Sequence, residues 1–160
     1  MKKSKDKAYN RIDATEVSRL YSEKQNPHDI IAAELGRDFN DYREKWEKGV
    51  NFECELPFPL HIDFEIGYQC NYRCKMCVMS LPPAQRNLFG DPSKRLSFET
   101  FRKIVDEGSK HGLKSIGLNG LNEPLLRDDI CDWVRYARNN GIVDVMFNTN
   151  GMLLNERNSR

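Results

Sequence analysis

What the sequence lacks narrows it first. No apolar stretch follows the basic opening MKKSKDK. The polar AYNRIDATEV comes next, so this start reads as neither a secretory signal nor a membrane span. Neither sign of charge is in excess. The 25 Lys and Arg residues stand against 24 Asp and Glu, a net charge of +1, which gives no reason to expect nucleic acid or an acidic membrane as partner. There is no internal repeat and no low-complexity block. Histidine is scarce: His28, His61 and His111 show no ligand spacing, and only His61 falls where it could face a cavity. With no export signal, the expected compartment is the cytoplasm. In that reducing place a tight cysteine cluster holds metal more often than disulfides.

The chain that remains is long enough, at 160 residues, for one domain with a real core. Its character changes near Pro57 and Pro59. Before them it reads as helical. Asp13 and Glu16 form a capping-box pattern ahead of EVSRLYSEKQ. Asn26-Pro27 opens a second helix over HDIIAAEL, which Gly36 ends. A third, DFNDYREKWEKG, carries Phe39, Tyr42 and Trp46 on one stripe, read as packing surface. Cys54 reads by default as a buried structural thiol, and Cys131 as a partly buried thiol on a helix.

After Pro59 the pattern alternates. In LHIDFEIG, Leu60, Ile62, Phe64 and Ile66 share one face while His61, Asp63 and Glu65 share the other, the period of a strand ending at Gly67. Ser97 caps a helix over FETFRKIVDEGSKHG, which Gly112 ends. SIGLNG is a second strand. Asp128 or Asp129 caps ICDWVRYARNNG, and VDVMFNTNG is a third strand. The order strand, loop, helix, strand, helix, strand implies parallel pairing through crossovers. A parallel sheet covered on both faces should read as continuous apolar runs, and these strands do not. Helices on one face and a polar cavity on the other explain the alternation; a face in bulk water would also do so.

The loop after the first strand holds three of the five cysteines within eight positions, CNYRCKMC. Three is too many for one disulfide and one short of a closed zinc site. Thiolates hold iron–sulfur clusters, and a four-iron cluster gripped by three cysteines keeps one iron open to a ligand. The loop also begins at the carboxyl end of a parallel strand, where active sites of such folds gather.

CxxxCxxC at Cys70, Cys74 and Cys77 resembles the signature of the radical SAM superfamily. NGLNEPLL at the end of the second strand resembles that family's GGEP-type segment, and NTNG at the end of the third is also common there. The leader AAELGRDFNDYREKW followed by PFPLHIDFEIGYQCNYRC is similar to the N-terminal part of SPASM-type members. The resemblance implies an α/β fold, a partial (β/α) barrel of about three βα units over residues 58–160, preceded by a helical leader over 1–57. It implies an enzyme with a [4Fe-4S] cluster and S-adenosylmethionine as cofactors. One electron from the cluster cleaves the sulfonium to a 5′-deoxyadenosyl radical, which abstracts hydrogen from a substrate such as a peptide, protein or sugar. It implies an electron donor such as flavodoxin or ferredoxin.

By position, the resemblance makes Cys70, Cys74 and Cys77 the cluster ligands. It puts Gly120, Asn122 and Glu123 at the methionine ammonium, and Met76 against the adenine. Asn148 and Asn150, on the third strand, approach cofactor or substrate. The family has glycine where Asn122 stands, and asparagine is the next residue to tolerate a left-handed turn there. A full barrel of eight units takes about 250 residues, so the chain is expected to be an N-terminal piece with weak or no turnover by itself. Two other readings stay open: a zinc module completed by Cys54 or a histidine, and a remnant that binds nothing.

Overall fold

The computed structural model describes residues 27–156 and 159. The chain divides into two units, Met1–Arg37 and Asp38–Arg160. In the first unit the described element is α1, Pro27–Leu35. Gly36 ends it as expected, at φ 77° with its N–H on the Ala32 carbonyl at 2.8 Å. The Asp13–Glu16 capping box and its helix lie outside the described residues.

The second unit is built on a three-stranded parallel sheet in the order β1 (His61–Asp63), β2 (Ser115–Gly117), β3 (Asp144–Met146). His61, Ser115 and Asp144 lie side by side in register. Two helices cross between the strands, α4 (Phe98–Lys110) and α5 (Ile130–Asn139). A short α3, Pro83–Arg86, precedes them in the long loop after β1. Ser97 caps α4 as its sequence indicates, its side chain accepting the Thr100 N–H. Asp129 stands at the N-cap position of α5, as one of the two expected caps, but its side chain makes no capping bond. Its carboxylate is turned instead to the Arg127 guanidinium and the Trp133 indole N–H.

The apolar side of the alternation packs as its period requires. Phe64, Ile66, Ile116 and Leu118 join Phe101 and Val105 of α4 and Trp133 and Ala137 of α5 in one core. The Phe101 ring stacks on Trp133 with centroids 4.4 Å apart and meets Phe64 edge-on at 5.0 Å. Burying an aromatic of this size contributes about 1.5–3 kcal/mol, so these rings hold both helices on one side of the sheet.

The polar side is a chain of hydrogen bonds. The His61 ring bonds Ser115 Oγ through Nδ1 (2.8 Å) and Asp63 through Nε2 (3.2 Å), and the Asn119 amide donates to the same Asp63 oxygen. Helix α2, Arg37–Val50, meets the N-terminal ends of the strands on this face. Tyr42 donates to Asp144, and Trp46 lies edge-on to His61 at 5.8 Å. The Phe39, Tyr42 and Trp46 stripe is therefore packing surface, as expected, and it covers the amino ends of the strands. The carboxyl ends stay open, with Asp63, Glu65 and Asn148 exposed.

Two expectations need correction. The strands are three residues each, not the eight, six and nine of LHIDFEIG, SIGLNG and VDVMFNTNG, because side chains intercept the ladder. One further bond continues on each side, Phe64 N–H to the Gly117 carbonyl and Leu118 N–H to that of Met146. Beyond them the Leu121 N–H goes to the Glu65 carboxylate and the Asn148 N–H to the Asn119 side-chain oxygen. Cys54, expected to be buried, is exposed in the turn after α2, beside Phe52 at φ 58°. Cys131 is partly buried against the core, as expected. The sheet is compatible with a fragment of a (β/α) barrel. Among the described residues it has three strands, which do not close one.

Candidate metal and cofactor site

Parallel strands bring their carboxyl ends to one edge of the sheet, and three loops leave from it. The first carries the cysteines. Residues 86–95 brace its start: Tyr68 donates to the Arg86 carbonyl at 2.6 Å, the Gln69 amide to the Pro92 carbonyl at 2.7 Å, and Arg95 to Gln69 Oε1. Gly67 and Arg95 form an isolated antiparallel bridge. Gly90 packs so closely on the Tyr68 ring that a Cβ there would lie 2.6 Å from it. A turn follows in which the Cys77 N–H donates to the Cys74 carbonyl at 2.9 Å.

All three loop thiols are free. Cys74 is exposed, and Cys70 and Cys77 are half-buried. Met76, between them, is 89 % exposed, so no protein surface covers the side chain assigned to an adenine.

The second loop, Asn119 to Pro124, turns on Gly120 at φ 114°. A Cβ on Gly120 would stand 2.1 Å from Glu65 Oε2 and push that exposed carboxylate aside, and the φ of 114° itself favours glycine. The left-handed residue of this turn is thus Gly120. Asn122 has no positive φ, which corrects the expectation that it substitutes for glycine by its backbone. Its side chain does the holding: the amide donates to Glu65 Oε1 (3.0 Å) and to the Asn119 carbonyl (2.8 Å). Those two acceptors fix which end of the amide is nitrogen. The other end, Asn122 Oδ1, is buried and has no hydrogen-bond partner among the described residues.

Glu123 ties the loops together. It is 3 % exposed. Its N–H donates to the Gln69 carbonyl at 2.8 Å, at the door of the cysteine loop. Its carboxylate accepts from Leu125 N–H (3.1 Å), the Thr149 hydroxyl (2.6 Å) and Asn150 N–H (2.8 Å). Asn150 in turn donates from its side chain to Asn71 Oδ1 at 2.9 Å and to Cys70 Sγ at 3.9 Å. Of the candidate residues, the structure therefore gathers Cys70, Glu123 and Asn150 into one bonded network. Gly120 and Asn122 lie against Glu65 in the same turn, while Met76 stands apart in solvent.

Four contributors carried little signal in sequence. Glu65 showed itself only as a polar-face residue, Thr149 only as a member of the NTNG segment, and Gln69 had no pattern at all. Arg127 is the fourth: it donates to the carbonyls of Ile66 and Leu96 (both 3.1 Å) and pairs with Asp129 through two 3.0 Å bonds. The guanidinium beside Asp129 holds its carboxyl below the usual carboxylate range.

The donor chemistry fits a cluster: three free thiols on one short loop. The orphaned Asn122 oxygen fits a ligand that brings a donor, as an amino group does. The thiols are not preorganised. Among the described residues no three His, Cys, Asp or Glu side chains stand together as a metal-binding group, the ordinary condition where binding and site formation are coupled.

Comparison with known proteins points the same way. The matched segment is similar to GTP 3',8-cyclases. It is 34% identical over 90 residues to that of Aquifex aeolicus, covering 56% of this chain and 27% of the relative. It is 36% identical over 97 residues to that of Desulforamulus reducens (60% and 28%) and 38% identical over 87 residues to that of Thermodesulfovibrio yellowstonii (54% and 26%). The chain thus spans about a quarter of the length of these curated relatives. No family model and no solved structure matches. The relatives are enzymes, so the resemblance to an enzyme is shown. They support the radical SAM superfamily and not its SPASM type in particular. No helix among the described residues is long and apolar enough to cross a membrane.

Proposed function

We propose that this chain carries the cluster-binding and S-adenosylmethionine-binding part of a radical SAM enzyme. One observation carries the reading: a CxxxCxxC loop leaves the carboxyl end of β1 with its thiols free, and the loops after β2 and β3 are bonded to its start through Glu123 and Asn150.

Cys70, Cys74 and Cys77 would hold a [4Fe-4S] cluster. When bound, the cluster would supply the electron that cleaves the sulfonium of S-adenosylmethionine to a 5′-deoxyadenosyl radical. The chain's own part is placement. The Asn122 oxygen, lacking a donor, would accept from the ligand's ammonium, and Gly120, without a side chain, keeps the turn close to Glu65. Met76, exposed, would cover the adenine when the ligand is present. Asn150 faces the loop at Cys70. An electron donor such as flavodoxin or ferredoxin would serve it. The relatives' cofactor chemistry is carried over here, and the nucleotide in their name is not.

Anaerobic reconstitution with iron and sulfide tests this. The expected result is a brown protein whose cubane electron paramagnetic resonance signal changes when S-adenosylmethionine is added. A colourless protein holding one zinc ion tightly, or a cubane signal indifferent to the ligand, would contradict it.

A further inference from the structure

We propose that Glu123 is a positioning residue, which holds the Thr149–Asn150 segment so that the Asn150 side-chain amide donates to the Cys70 sulfur. The proposal rests on the reading above in taking Cys70 as a cluster ligand. The resemblance puts Glu123 at a ligand's ammonium, but its carboxylate is occupied elsewhere. It is buried, and three donors already reach its two oxygens: Leu125 N–H, Thr149 Oγ1 and Asn150 N–H. A carboxylate offers about four acceptor positions. Among the described residues no ion pair involves Glu123, so these donors are what stabilises its buried charge.

What Glu123 holds is Asn150. With the Asn150 N–H on Glu123 and its Oδ1 accepting from Met152 N–H at 3.0 Å, the side-chain nitrogen has one orientation left. That nitrogen donates to Asn71 Oδ1 and to Cys70 Sγ, inside the cysteine loop. Hydrogen bonds to the sulfurs are among the factors that set a cluster's reduction potential. A donor on a ligand sulfur stabilises the more negative, reduced state, so its removal moves the potential down. Glu123 therefore reaches the cluster through Asn150 and without touching it.

The test is a redox titration of the reconstituted full chain, followed by electron paramagnetic resonance, in wild type, Asn150→Ala, Glu123→Gln and the double variant. Asn150 is exposed, so its replacement spares folding even if Glu123→Gln does not. The expected result is a lower midpoint potential in Asn150→Ala with unchanged iron content. Glu123→Gln should shift it in the same direction, and the double variant should shift it no further than Asn150→Ala alone, since one residue acts through the other. A loaded Asn150→Ala protein with the wild-type potential overturns this inference alone, as does a double variant whose shift equals the sum of the two. A wild-type chain that takes up no iron overturns the functional reading and this inference with it.

Discussion

Replacing Arg127 by methionine, which keeps an apolar stem and removes the guanidinium, should strike the joint between the sheet and the cysteine loop. The Arg127 side chain is 12 % exposed. It bonds the Ile66 carbonyl just before that loop and the Leu96 carbonyl just before α4, and it lies 4.2 Å above the Trp133 ring. Breaking a buried charged pair by removing one partner costs about 3–5 kcal/mol. Asp129 is 45 % exposed and regains water, which places the loss near the lower end, about 3 kcal/mol. In a chain of this length that is a fall in Tm on the order of 10 °C. Urea denaturation followed by circular dichroism measures it. Lysine at 127 should recover part of the loss, since it restores a charge but not the planar fork that serves two carbonyls and a carboxylate together. A methionine variant within about 0.5 kcal/mol of wild type, the range of an ordinary surface change, would refute the reasoning.

Other outcomes follow from the same contacts. Phe101→Ala empties a fully buried ring position against Trp133 and Phe64 and should cost about 3–5 kcal/mol in the same assay. Gly120→Ala should cost about 1–3 kcal/mol through its backbone strain, and adding Glu65→Ala should relieve the clash at 2.1 Å but not the strain at φ 114°. The Asp129 carboxyl titrates below its usual range because of Arg127 and the Trp133 indole. Its contribution is thus present above the unfolded value near pH 4 and lost as pH falls through the folded one. The stability gap between wild type and Asp129→Asn should be open at neutral pH and shrink as pH falls below about 4; a gap that stays constant through that fall would contradict it.

What was legible in the sequence was local. Pro27, Gly36 and Ser97 mark helix ends because capping is settled within a few residues, and α1 and α4 begin or end where they stand. The two-residue period sorted the strand faces correctly, since Phe64 and Ile116 entered the core while Asp63 and Asn119 met on the other side. Strand length was not legible. It depends on Glu65 capturing a backbone N–H some 56 positions away, and no period records such a competition. The cysteine spacing named the candidate loop. The Gln69, Arg95 and Arg127 contacts that brace it join distant segments of the chain, and each of these residues looks like an ordinary polar residue in its own neighbourhood. Asn122 was read by its backbone tolerance, whereas its side chain carries the turn.

The central claim is a cluster held at Cys70, Cys74 and Cys77, and iron content measures it most directly. Anaerobically reconstituted wild type should hold about four irons per chain. Alanine at any one of those three positions should abolish that loading, and alanine at Cys54 or Cys131 should leave it intact. Full iron in Cys74→Ala, or its loss in Cys54→Ala, would contradict the account.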